Sequence, residues 1–287
     1  MNVGIGIPNT VLDTPGDLFG PWARRAEEHG FSTLATIGRI AYPGHDELIA
    51  LAAAAGATER IGLLTNILLA PAFPAAILGK QTATLAAVSG GRFTLGVGVG
   101  ARPDDFAAAG APFDGRGARL DEQLEALHSA WRGDPLPGTE LRVAPPVPDG
   151  RVPILFAGEP RLAAARAVRW NAGYTIGGAP PEQAAASATE FRRLYAELGG
   201  VGTPRIAALT YFSLGDEHTD ESVRNLRTYY AHLSDWAEAI AQGAARTPDD
   251  IVTRVRAYED AGIDELLLDP TVPNIDQVDR AADVVFG

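Results

Sequence analysis

Cysteine is missing from all 287 residues, which removes disulfides, cysteine nucleophiles and thiolate metal sites from consideration. Lysine is nearly missing too. Its single occurrence, Lys80, lies in a stretch with helical spacing rather than at a strand end, which argues against a Schiff-base aldolase or a related phosphate-substrate barrel. No window approaches about 18 uninterrupted apolar residues, so a membrane span is not expected. Met1 to Pro8 has neither the basic flank nor the apolar stretch of a secretory signal, and a cytoplasmic protein is the expectation. Clustered positive charge is also lacking: the net charge is -12 and the arginines are scattered, which disfavours nucleic acid and acidic membranes as partners. No histidines and carboxylates stand at metal-ligand spacing, so no metal is expected, and no serine occupies a nucleophile elbow.

What is present suits one large core, with 46% hydrophobic and 21% charged residues. Eight short apolar runs alternate with helical spacing: 3–7, 33–37, 61–69, 93–99, 152–157, 174–176, 206–212 and 265–268. Several are apolar on both faces, as parallel strands covered by helices must be. The pattern predicts an α/β fold, a (β/α)8 TIM barrel forming one domain over 1–287. Thr247, Pro248, Asp249 and Asp250 predict a capped helix start with Ile251, Val255 and Tyr258 on its apolar face and Gly262 at its end. Thr14, Pro15, Gly16 and Asp17 predict another, ended by Gly30. The helix–glycine–strand passages at Glu27–Leu34 and Glu259–Leu266 resemble each other, as the first and last units of a closed barrel would. Residues 133–150 read as a long loop. Residues 216–246 read as a rim insertion after strand seven, with a helical run through Leu226, Tyr230, Leu233 and Ile240. A doubly wound dinucleotide fold would need a glycine fingerprint after the first strand, where Pro8, Asn9 and Thr10 stand instead.

In such a barrel the chemistry belongs at the carboxyl ends of the strands. Gly158, Glu159 and Pro160 after strand five open a helix, and Gly177 and Gly178 after strand six do the same; free amides there would seat a phosphate, or the turns are ordinary capped connections. Arg116 and Arg119 share a helix face and either reach an anion or pair with nearby acids such as Asp114, Asp121 and Glu122. Arg39 after strand two, followed by Tyr42 and His45, is a candidate catalytic cation with two candidate substrate contacts, or part of a solvated loop. His29, His128, His218 and His232 fall on helices or the insertion and read mostly as surface residues. Thr65 and Asn66 interrupt an aliphatic strand, so each needs a partner within the barrel or a ligand.

The stretch Glu59–Ile61, Gly79–Gln81, Ser89–Phe93 and Gly96–Gly100, followed by Asp105, Phe106, Pro112, Phe113, Arg116, Arg119, Leu120 and Asp121, resembles the bacterial luciferase-like monooxygenase family. Pro153–Gly158, Ala172–Gly173 and Thr247–Asp250 extend the likeness over nearly the whole chain. The resemblance implies a barrel that binds coenzyme F420 or FMN, with the phosphate near Gly158–Pro160 and Gly177–Gly178, and with Thr65, Asn66, Ile67, Gly98 and Arg116 among the cofactor contacts. It also implies a non-prolyl cis bond at Asn66–Ile67 backing the ring, and often a homodimer. One departure stands out: many members end strand two with an acid or serine followed by histidines, whereas this chain has Ile37, Gly38, Arg39 and Ile40. A guanidinium cannot take over histidine's proton transfer. The expected function is hydride transfer between F420, preferred over FMN, and a small organic substrate. The alternatives are an FMNH2-dependent monooxygenase and a flavin-binding protein without turnover.

Overall fold

A computed structural model describes residues 1–233 and 235–287. Eight parallel strands close into a barrel in chain order: β1 (Asn2–Gly6), β2 (Thr33–Thr36), β3 (Gly62–Thr65), β4 (Phe93–Val97), β5 (Ile154–Ala157), β6 (Gly173–Ile176), β7 (Ile206–Phe212) and β8 (Glu265–Pro270). β8 returns to β1, with Asn2 beside Glu265 and Ile5 beside Leu268, so the sheet has no free edge. The helices of the wall are α1 (Phe19–His29), α2 (Glu47–Ala57), α3 (Ala75–Val88), the pair α4 (Pro103–Ala108) and α5 (Arg116–Arg132), α6 (Pro160–Trp170) and α7 (Pro181–Glu197). After β7 come α8 (Thr219–Tyr229) and α9 (Asp235–Gln242), then α10 (Pro248–Asp260) and, after β8, α11 (Asp276–Phe286). The architecture is the (β/α)8 TIM barrel expected from the eight apolar runs.

Each strand buries both faces, and two cores result. The outer one, between strands and helices, takes the large side chains Trp22, Phe93, Trp131 and Phe191. The barrel interior takes Ala35, Leu64, Leu155, Ala207, Leu209 and Leu267, and that cluster continues without interruption into Val223, Leu226 and Tyr229 of α8. The segment between β7 and α10 therefore closes the carboxyl end of the barrel by burying its own apolar face there.

Local signals explain most boundaries. Thr247 Oγ1 accepts the Asp250 amide at 3.2 Å while the Asp250 carboxylate accepts the Thr247 amide at 3.0 Å, a reciprocal cap on α10. Gly30 ends α1 at φ 91°, a left-handed geometry that favours glycine. Four expectations need correction. Thr14 does not cap α1; its hydroxyl donates to Pro8 O and Val11 O, and a short 3-10 turn at Gly16–Leu18 leads into the helix. β3 stops at Thr65 rather than reaching Leu69, because the Asn66–Ile67 bond is cis and only Leu68 rejoins the sheet, beside Val97. The single helical run expected through the insertion is two helices, with Tyr230 between them; Ser234 lies outside the described residues. His128 is not a surface residue: it is buried, stacked on Trp170 at 4.1 Å, and burial holds its pKa down at about 4. Among the described residues no helix is long and apolar enough to cross a membrane, and no histidine and carboxylate group could hold a metal ion.

Candidate active site

Two cavities open at the carboxyl ends of the strands, one of about 420 Å³ over β3 and β4 and one of about 640 Å³ between β6, β7 and the insertion. Gly177, Gly178, Tyr211 and Tyr230 line both, so they form one cleft with a seam in the middle.

The first cavity has an apolar floor made by Ile37, Ile67, Leu69, Gly98, Ala157 and Leu209. A Cβ placed on Gly98, just past β4, would lie 2.6 Å from Ile67 Cδ1, so any side chain there would displace Ile67 from the cavity floor. The polar pair in this strand resolves in two ways. Thr65 is fully buried and donates to Gly96 O at 2.9 Å, inside the barrel and away from the cleft. Asn66 accepts the Thr175 hydroxyl through Oδ1 at 2.6 Å, but its buried Nδ2 has no partner and the residue faces the cavity. A free donor set in a flat apolar floor is a place for an acceptor atom of a bound ring.

At the seam the chain turns from β6 into α7. Neither the Gly177 nor the Gly178 amide has an acceptor among the described residues, and a Cβ on Gly177 would meet nothing within 4 Å. Pro180 and Pro181 carry no N–H, so the glycines supply the donors that the helix start cannot. Tyr258 holds the turn by donating to Ala179 O at 2.5 Å. Beside it stands Arg254 of α10, part-buried on the wall of the second cavity, donating to Thr210 Oγ1 at 2.5 Å and to Gly243 O. Burial pulls its pKa below the usual arginine value; Asp250, one turn back on α10, acts on it electrostatically, but no carboxylate is in ion-pair contact with it among the described residues. A sequestered cation beside two open amides is an anion seat.

The companion seat expected after β5 is closed. Gly158 lines the cleft through its backbone, but the Glu159 carboxylate accepts the Arg161 and Leu162 amides at 3.1 and 3.2 Å and so occupies the α6 terminus with its own negative charge. Pro160 begins α6 and lines neither cavity.

The strand-two loop also departs from expectation. Arg39, read as a catalytic cation, has a side chain only 7% exposed and committed to Asp104 at 2.6 Å, Asp105 at 3.5 Å and Tyr229 O at 3.3 Å. Tyr42 and His45, read as substrate contacts, stand apart from this cleft: Tyr42 lines a separate cavity of about 400 Å³ with Arg39 and packs edge-on against Tyr229, and His45 bonds Thr14 O and packs on Phe19. Arg116 does not reach the cleft; it lies 3.8 Å over Phe113 and donates to Gly100 O, while Arg119 bonds the carbonyls of Pro71, Pro112 and Asp114. Among the described residues neither pairs with an acid. Beneath Gly38, which a Cβ would push to 2.8 Å from its Oε1, sits buried Glu47; burial, with Asp46 and Asp105 adding, pushes its pKa up to about 7.

Sequence reasoning passed over Arg254 and the tyrosines of the seam. Arg254 stands three residues after Ile251 and four before Tyr258, hence on the buried face of α10, where a charge is itself a signal. Tyr211 and Tyr230 come from β7 and from the turn between α8 and α9, and their hydroxyls meet at 2.6 Å.

Residues 17–247 match the family model for luciferase-like monooxygenases. The chain belongs to that family. It is 32% identical over 210 residues to an uncharacterized protein of Mycobacterium tuberculosis, spanning 62% of this chain and 72% of that one. It is 35% identical over 168 residues to an F420-dependent glucose-6-phosphate dehydrogenase of Nocardia farcinica, spanning 52% and 49%. Among solved structures the fold is shared with a monooxygenase from Streptomyces bottropensis, at a TM-score of 0.79 and 24% identity over 99% of this chain and 97% of that one. It is equally close to an F420-dependent secondary alcohol dehydrogenase carrying an F420–acetone adduct, at 0.79 and 20% over 99% and 98%. Family membership makes the chain an oxidoreductase of the luciferase-like kind.

Proposed function

We propose that this oxidoreductase holds coenzyme F420, or FMN, in the cleft and passes a hydride between it and a small organic substrate. The observation that carries the reading is Arg254, a cation with no carboxylate in direct contact among the described residues, lining the same cavity as the open amides of Gly177 and Gly178 at one end of a flat apolar floor. A planar ring with an anionic arm needs that layout. The residues present fit such a group: Asn66 Nδ2 has no partner of its own, and Gly98 and Gly177 leave room where any side chain would intrude.

Bound there, the cofactor would supply the hydride. The chain would hold the anionic arm with the two glycine amides and Arg254, hold the ring over Ile67 and Gly98, and give it one hydrogen bond from Asn66. The segment carrying α8 and α9 would limit water at the reacting face. F420 is favoured over FMN because the second cavity, about 640 Å³, adjoins the first across the seam and has room for a tail that FMN lacks. The likeness to the F420-dependent dehydrogenase of Nocardia farcinica supports the same choice. Absorbance titration with F420 and FMN separately tests the reading. A tight, band-shifting interaction with F420 and a weaker one with FMN is expected; no shift with either would end the proposal.

A further inference from the structure

We propose that the Tyr230 hydroxyl gives the substrate its proton and that Tyr211 positions it, which makes the substrate class a carbonyl compound; this rests on the oxidoreductase reading above. When a carbonyl carbon takes a hydride, the π pair moves onto oxygen, and that oxygen must take up a proton. At the strand-two end Gly38 and Arg39 bring no acid to the cleft, and buried Glu47 behind them lines a separate cavity of about 400 Å³.

The titratable groups facing the cleft narrow the choice. Asp105 is held on the Arg39 side of the mouth, its Oδ1 accepting the Ile40 and Ala41 amides and its Oδ2 buried without a partner among the described residues. Arg102 keeps its proton. The His232 ring meets Arg102 Nε at 3.1 Å, and burial together with Arg102 and Arg39 holds its pKa below the ordinary value, so it is neutral and occupied. Tyr229 turns its hydroxyl towards Gly38 O at 3.4 Å. Tyr258 already donates to Ala179 O and Arg254 to Thr210 and Gly243 O, which leaves Tyr211 and Tyr230, whose hydroxyls meet at 2.6 Å on the seam that both cavities share.

Only one of the two protons can lie between the oxygens. Tyr211 is the more buried phenol and makes no other hydrogen bond among the described residues, so its proton points at Tyr230. That leaves the Tyr230 O–H free to point into the cleft. Once Tyr230 has given up its proton, its oxygen keeps the hydrogen bond from Tyr211, and the Arg102 guanidinium lies 5.8 Å from its ring. Both stabilise the phenolate against the cost of burial, which otherwise raises the pKa. Tyr230 then regains a proton from water entering the second cavity. The donor thus comes from the insertion and its support from the barrel, so the site is complete only when the two are packed together.

The first arm of the test needs no cofactor. Phenol ionisation is followed by ultraviolet difference absorbance in the full-length protein and in Tyr211→Phe and Tyr230→Phe, where each difference isolates one phenol. The groups facing Tyr230 are Tyr211 and Asp269 from the barrel, Tyr229 from α8, and Arg102 and His232 at the rim. Loss of Tyr211 is expected to raise the ionisation of Tyr230 by about one pH unit; an unchanged value overturns the positioning role. In the second arm, protein loaded with reduced F420 meets a panel of small ketones and aldehydes. Tyr230→Phe is expected to lower kcat about 100-fold or more and Tyr211→Phe about tenfold, with the Kd for F420 unchanged within about threefold. Wild-type turnover by Tyr230→Phe overturns the donor role, and a loaded wild-type protein that reduces no carbonyl overturns the substrate class. If neither F420 nor FMN binds, the cofactor reading is what fails, and the first arm still decides the hydroxyl pair.

Discussion

The two sides of the cleft mouth use charge in opposite ways. On the side of β2 and β4, Arg39, Asp104, Asp105, Arg116 and Arg119 bond one another or the backbone, although buried Arg39 Nε and Asp105 Oδ2 keep no hydrogen-bond partner among the described residues. On the side of β6 and β7, two glycine amides have no acceptor among the described residues, and Arg254, which bonds Thr210 and Gly243 O, has no carboxylate in direct contact there. Charged residues near a barrel mouth are therefore a poor guide to chemistry by themselves. What matters is which polar groups the fold leaves unfinished.

Arg39→Ala should break the first side most severely. It strips the guanidinium from fully buried Asp105, at a cost of about 3 kcal/mol, and thermal unfolding should show a Tm lowered by several degrees. Affinity for F420 in the folded fraction should stay within about threefold, whereas a collapse of affinity with an unchanged Tm would make Arg39 a ligand contact after all. Glu47, on the same side, predicts a pH effect. Its carboxyl is held up from 4.5 to about 7 in the folded chain, so its contribution to stability is present in full below pH 4.5 and is lost as pH rises through about 7. Denaturant unfolding should record roughly 3 kcal/mol of decline across that window from this residue, absent in Glu47→Gln.

The open side should respond in affinity instead. Gly177→Val points into empty space, so the fold should be unaffected while the amide seat is covered; a Kd for F420 weakened about 100-fold, some 2.7 kcal/mol, is expected. An unchanged Kd would move the anion elsewhere. The smallest effect sharpens the contrast between the neighbouring turns. Glu159→Gln removes an exposed negative charge at the closed seat and should tighten F420 about twofold at low salt, and not at high salt.

Much of this was legible in the residues. All eight strands could be found because parallel strands under helices are apolar on both faces, and Gly98, Gly177, Gly178 and Asn66 stood out as gaps or polar breaks in such runs. Glu159 misled because a helix start that seats a phosphate and one that caps itself with a carboxylate share the same pattern. Arg39 misled because its partners Asp104 and Asp105 come from another loop, 65 residues away. Arg254 was visible in principle, since its spacing from Ile251 and Tyr258 puts a charge on a buried face. The Tyr211–Tyr230 contact was not, because it joins a strand to an insertion whose helices break between Tyr229 and Asp235.

The most direct test of the central claim is a crystal structure of the protein with F420 bound. It should place the anionic arm against the Gly177 and Gly178 amides and Arg254, with the ring over Asn66 and Ile67. A ring lodged on the Arg39 side of the mouth, or an arm seated at Glu159, would contradict it.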